Sequence, residues 1–165
     1  RADRSAGVKL GIAPDKSYWI GHAKVMREEG HEVRRIIKAI AETDGKQVVI
    51  SLPQDPGQAG KVQARDFVAF LAGWVVRTAQ ETGDKYTRAE PFSVQCEAGN
   101  VYYLEGDWNE PYLDELCEFP AGQHDDQVDA TSGAFGRLIM KTEGKILIPL
   151  MGTAARTFFG DHPGI

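Results

Sequence analysis

Long apolar runs are missing from this chain of 165 residues. No stretch reaches the roughly 20 apolar residues a membrane-spanning helix needs, and no leader-like segment opens the sequence. An initiator methionine is also missing; the chain opens at Arg1-Ala2-Asp3, so a fragment or a single excised domain is expected. Cysteine is scarce, and Cys96 and Cys117 lack metal-ligand spacing. That pattern leaves one disulfide open but favours buried thiols in a reducing compartment. No charge sign dominates: the net charge is −5, which neither suggests nor excludes a nucleic-acid partner. An acidic metal site can coexist with a local basic groove. A nucleotide-binding P-loop is absent too. Gly57-Gln58-Ala59-Gly60-Lys61 has two residues between its glycines where that loop needs four, and Val62 follows where Ser or Thr is required. There is no internal repeat. Hydrophobic residues at 42% and charged residues at 26% fit a globular domain with a real core.

The present elements alternate. Val8 to Ala13 and Ser17 to Val25 read as paired strands, and Gly30 closes the hairpin. Val33, Ile36, Ile37 and Ile40 set a helix over His31 to Thr43. Val48 to Leu52 is a short strand, Pro53 to Lys61 a loop, and Lys61 to Thr78 a long helix. Helices follow over Tyr86 to Ala98, Tyr112 to Cys117 and Asp125 to Ile139, with a strand at Val101 to Leu104. The pattern argues for an α/β protein, a mixed sheet with helices on its faces. From Thr142 onward the composition thins, so residues 1–141 are expected as the domain and 142–165 as a tail or linker. Trp19, Trp74 and Trp108 are expected in the core.

Chemistry concentrates in Phe119 to Ala130, where His124, Asp125, Asp126 and Asp129 fall within six residues. On a helix, Asp125 and Asp129 are one turn apart, as are Asp126 and Asp129. Such crowded carboxylates cost free energy unless a cation sits between them, and hard oxygens suit Mg²⁺ or Mn²⁺ better than zinc. Helix capping would account for one or two of these acids, not for all three with a histidine. Asp55, just past a strand in a Pro/Gly turn, is either a turn former or a second carboxylate of the same site. Lys85 and Arg88 would project together from a helix start and are candidates for gripping phosphates, against a reading as a solvated turn. Lys61, at the start of a helix, is a third phosphate candidate.

These segments carry a resemblance. Phe119-Pro120-x-Gly122-x-His124-Asp125-Asp126-x-Val128-Asp129-Ala130 resembles the closing motif of the nuclease domain of tailed-phage terminase large subunits. Pro53 to Lys61 is similar to that family's middle motif; Gly83 to Ala89, Glu97 to Val101 and Trp108-Asn109 are similar to its connecting segments, in the same order. The resemblance covers about Asp3 to Ile139. It implies a ribonuclease H-like (resolvase-type) fold, with a mixed central sheet and helices on both faces. It implies a metal-dependent endonuclease that cuts concatemeric viral DNA during packaging. Asp55 matches the second acidic ligand, and Asp125 and Asp126 the third acidic position, Asp126 being the preferred single residue. Asp129 and His124 lie in the same motif. The first-strand aspartate of the family would precede Arg1, because Asp3-Arg4-Ser5-Ala6-Gly7 matches a segment downstream of it. A fragment without that ligand is expected to be weakly active.

The implied chemistry is two-metal hydrolysis with Mg²⁺ or Mn²⁺ held by Asp55, Asp125, Asp126 and Asp129, with Lys85, Arg88 and Lys61 on the DNA backbone. Little base specificity is expected. The implied partners are double-stranded DNA, an ATPase motor domain on the full-length chain, the small terminase subunit and the portal. The implied location is the host bacterial cytoplasm, with no membrane. Two alternatives stay open: a non-catalytic DNA-binding or docking module of the packaging motor, and a cellular resolvase that prefers four-way junctions.

Overall fold

The structure, a computed structural model, describes residues 4–140 and 155–157. In chain order the elements are β1 (Ser5–Ile12), β2 (Tyr18–Met26), α1 (Gly30–Asp44), β3 (Ile50–Gln54), α2 (Gln58–Phe70), β4 (Val76–Gln80), α3 (Lys85–Glu97), β5 (Val101–Leu104), α4 (Asn109–Glu118), α5 (Asp126–Met140) and β6 (Ala155–Thr157). The chain divides into two compact units. One runs from Met26 to Gly83; the other combines Ala6–Val25 with the chain from Asp84 onward.

In the second unit the strands form a mixed sheet of order β1-β2-β5-β6. The turn between β1 and β2 is too short for anything but an antiparallel pair, and it closes with Ala13 N–H donating to the Ser17 carbonyl at 2.8 Å. β2 runs parallel to β5, with Tyr18 opposite Val101 and Ile20 opposite Tyr103. β6 is antiparallel to β5. Val101 and Tyr103 are two residues apart and therefore share a face, which joins Ile20, Ala23, Phe92, Cys96, Tyr112 and Phe135 in the core. Trp19 and Tyr102, cross-strand partners, stack with ring centroids 5.0 Å apart. Phe135 of α5 meets Tyr18 edge-on at 4.9 Å and Phe92 of α3 at 5.6 Å, so α5 is anchored to both the sheet and α3. Burial pushes the Cys96 thiol up to about 12, which makes it inert at neutral pH. Cys117 is exposed, which corrects the expectation of two buried thiols.

In the first unit β3 and β4 form a parallel pair in register from Ile50 opposite Val76 to Gln54 opposite Gln80. β4 corrects the sequence-based expectation of one helix through Thr78. Helical spacing does continue through Leu71, Trp74 and Val75, but the helix stops at Phe70, and Gly73 at φ 96° turns the chain. The β-branched Val76 then enters a strand instead. α1 contacts this region through Trp74, whose Nε1 donates to the Ala41 carbonyl at 3.2 Å. Arg34 and Lys38 of α1 lie over the Phe67 and Phe70 rings at 5.3 and 5.1 Å, covering apolar surface with their stems. The basic face of α1 is thus partly a packing surface. Within the expected 142–165 tail only 155–157 are described, and they add strand β6. Asp3 lies outside the described residues.

One glycine holds the turn that carries Asp55. Gly60 is buried in the first turn of α2, and a Cβ there would run into the Asp55 carbonyl, whose carbon would lie 2.7 Å away. Gly133, inside α5, has nothing within 4 Å of its Cβ position. Gly60→Ala is therefore expected to lower the unfolding free energy by about 1–3 kcal/mol. Gly133→Ala is expected to raise it by about 0.5–1 kcal/mol through helix entropy. Urea denaturation reads both; a neutral Gly60→Ala would contradict the close approach.

Candidate active site on the acidic helix

The acidic segment lies at the start of α5, and the hydrogen bonds around it fix its direction. The chain leaves α4 at Glu118, whose carbonyl accepts from both Ala121 and Gly122 N–H groups at 2.9 Å. Asp125 sits just before α5, and its carbonyl accepts the N–H of Asp129 at 2.9 Å. The free N–H groups of a helix start need an acceptor. Here Glu115 of α4 supplies one: its Oε1 accepts the Gln127 backbone N–H at 2.6 Å, and its Oε2 accepts the Gln127 side-chain amide at 2.8 Å. That amide also donates to the Pro111 carbonyl at 3.2 Å. Glu115 is only 6% exposed, so a buried carboxylate faces the positive end of α5. One turn on, Thr131 Oγ1 donates to the Gln127 carbonyl at 2.6 Å, so the Tyr112 hydroxyl must be the donor in its 2.9 Å bond to Thr131. Burial holds that phenol well above its ordinary range, and it stays protonated.

With Gln127 bonded to α4, Asp125 and Asp129 turn toward α3 instead. Lys85, the first residue of α3, places Nζ 2.7 Å from Asp125 Oδ1 and 2.9 Å from Asp129 Oδ2. Arg88, one turn along α3, donates to Asp129 Oδ1 at 3.0 Å. Two carboxylates and two cations form one cluster, and both oxygens of Asp129 are engaged. The carboxylate bonds raise the Lys85 ammonium above its ordinary range, the Asp125 bond most of all, so it is charged at neutral pH. Lys85 is held in place by its neighbour. Asp84 caps α3, its Oδ1 accepting the Thr87 N–H at 2.9 Å and its Oδ2 the Thr87 hydroxyl at 2.8 Å. Those bonds, the backbone one first, hold the Asp84 carboxyl below its ordinary value of 3.8.

The positive charge that the crowded acids require comes here from Lys85 and Arg88 of the chain itself. Lys85 and Arg88, expected on DNA, and Asp125 and Asp129, expected on metal, meet each other in this state. Asp126 is half-buried at the first position of α5, and His124 is exposed just before the cluster. In the other unit, Asp55 is exposed directly past the end of β3, and Lys61 is exposed in the first turn of α2. Among the described residues, no group of three or more His, Cys, Asp or Glu side chains is placed to hold a metal. Two carboxylates nonetheless converge on one point, now taken by an ammonium. That donor chemistry fits a hard divalent ion, which keeps several waters and needs only one or two carboxylates. Glu115 and Asp84 escaped the sequence reading. Asp84 carried a signal, an acid directly before a helix; Glu115 carried none, since nothing in an α4 sequence marks which acid is buried.

The sequence profile of the terminase RNaseH-like domain matches residues 1–137. The chain belongs to the terminase RNase H-like family. No curated protein and no solved structure matches it significantly. The mixed α/β architecture agrees with that fold. This terminase domain is a nuclease-type module of a phage protein that acts in a host cell, and its family works with DNA and a packaging motor. No helix among the described residues is long and apolar enough to cross a membrane.

Two substitutions test the scaffold under this terminase site. Glu115→Gln would set amide donors against the Gln127 donors, and a loss of about 1.5–3 kcal/mol is expected in urea unfolding; an unchanged midpoint would contradict the buried cap. Asp84 is a depressed carboxyl, so its stabilisation is present above the unfolded value near 3.8 and is lost as pH falls through the lower folded value. Asp84→Ala should lower the thermal midpoint at pH 7, and the gap to the parent should close in acid below about pH 4.

Proposed function

We propose that this chain is the metal-dependent endonuclease module of a phage packaging terminase, cutting concatemeric double-stranded DNA with little sequence preference. The observation that carries the proposal is the convergence of Asp125 and Asp129 on one cationic point at the head of α5, 2.7 and 2.9 Å away, in a chain whose family is nuclease-type. Asp125, Asp129 and the adjacent Asp126 would hold Mg²⁺ or Mn²⁺. Asp55, in the other unit, is proposed separately as a metal ligand on the resemblance of its loop. When bound, such ions supply an activated water and offset charge on the leaving 3′ oxygen.

The remaining work falls to the chain itself. Glu115 keeps the acidic turn facing away from its own helix, so its carboxylates are available to a cation. Lys85 and Arg88 supply positive charge beside the cluster for backbone phosphates. Lys61 would add a further phosphate contact in the first turn of α2. His124, exposed just before the acidic turn, is carried in the proposal only as a neighbour of the acids. The packaging partners in this reading are the ATPase motor of the full-length chain, the small subunit and the portal, with the host cytoplasm as the site of action.

The closure of Asp125 and Asp129 by Lys85 and Arg88 favours one rival, a packaging module that binds DNA without cutting it. Plasmid cleavage in Mn²⁺ separates the two. Asp126→Asn should reduce cleavage by more than the roughly 10–100-fold that indirect perturbations of a metal site produce, and Asp55→Asn should act in the same direction. Cleavage unchanged in Asp126→Asn would overturn the nuclease reading of α5. DNA retention with no cleavage by the parent protein would support the rival.

A further inference from the structure

Lys85 bridges the two carboxylates proposed above as metal ligands, and its own position is built rather than incidental. Asp84 caps the helix that begins at Lys85, and Arg88 takes the remaining oxygen of Asp129. The ammonium is held at hydrogen-bond length, 2.7 and 2.9 Å, whereas Mg²⁺ takes oxygens at about 2.0–2.1 Å. The two carboxylates need close by less than about an ångström each to grip an ion. A lysine ammonium and a divalent ion repel strongly at such separation, so both cannot hold that point. The lysine tip, with its side chain 46% exposed, has room to leave toward solvent.

We propose that Lys85 is an exchangeable counter-cation: it holds Asp125 and Asp129 together when the site has no metal, and it is released to a DNA phosphate when a divalent ion enters. This rests on the metal-dependent nuclease reading and adds to it an order of events within the site. Without metal, the lysine is spent on the carboxylates and grips DNA poorly. With metal, the carboxylates are satisfied and the lysine charge turns outward. Because such coupling is reciprocal, a phosphate that draws Lys85 away also raises the affinity of the acids for metal. The cluster therefore keeps the metal site weak until the backbone of a substrate is present. Arg88 retains its bond to Asp129 Oδ1 at 3.0 Å and, less exposed than Lys85, keeps α3 against α5 during the exchange.

The test is calorimetric titration of the protein with Mn²⁺ alone, which reads binding rather than cutting. Lys85→Met should bind Mn²⁺ more tightly by about 5-fold or more, the lower end of ordinary site-to-site couplings. Lys85→Arg, which keeps a cation in place, should bind as the parent does. Lys24→Met, which removes an equal charge from an exposed position on β2, should leave the affinity unchanged. Thermal unfolding confirms that each variant is folded. An affinity unchanged or weakened in Lys85→Met overturns the exchange, as does an equal gain in Lys24→Met. The doubly substituted Asp125→Asn/Asp129→Asn protein separates the two levels. If it loses Mn²⁺ binding while Lys85→Met shows no gain, the metal site stands and the exchange fails. If it binds Mn²⁺ as the parent does, these carboxylates are not ligands and both fall.

Discussion

A buried carboxylate at the head of α5 sets the direction of everything around it. Glu115 reaches from α4 to the Gln127 backbone N–H and side-chain amide at 2.6 and 2.8 Å, in a position only 6% exposed. A carboxylate taken out of water is costly unless it is bonded, and here the helix start provides the donors. Without that contact, an acid of the first turn would serve as the cap and would fold back onto its own helix. With it, Asp125 and Asp129 are directed to α3. The Tyr112–Thr131–Gln127 chain of hydrogen bonds extends the same lock one turn further, so the acidic face is fixed in rotation as well as in position.

What the acids meet on α3 decides the chemistry. Like-charged carboxylates one turn apart are tolerated because Lys85 and Arg88 are supplied at matching spacing, three residues apart on a helix capped by Asp84. Exposed ion pairs contribute only about 0–1 kcal/mol each, so the cluster is a weak contributor to stability. Its arrangement is better explained by what it can bind. In the proposed reading, the pair of carboxylates that Lys85 bridges is a site that trades one cation for another. The terminase RNase H-like family gives that proposed trade a context of DNA.

The sequence was most informative where one element carried its own signal. The β1–β2 hairpin, α1 and β5 follow their apolar periods, and the acidic run stands at the head of α5 as its spacing suggested. The order of the motifs carries the family that the domain profile also matches. It was least informative where two segments decide together. β4 was hidden because Leu71, Trp74 and Val75 continue the spacing of α2, and only the turn at Gly73 and pairing with β3 reveal a strand. Gly60 stands in a segment whose spacing fails the phosphate-loop test, and its reason, the Asp55 carbonyl against it, is a contact no spacing reports. Lys85 and Asp125 stand 40 residues apart, and no local pattern reports that one will sit on the other. Glu115 resembles any surface acid of an amphipathic helix. Charged residues far apart in sequence were legible as types and illegible as partners.

The most direct test is crystallographic: crystals of this domain soaked in Mn²⁺, with anomalous scattering recorded at the manganese edge. The account predicts a peak within coordination distance of the Asp125 and Asp129 carboxylates, with the Lys85 ammonium moved off both. A peak elsewhere, with Lys85 still bonded to Asp125 and Asp129, would contradict it.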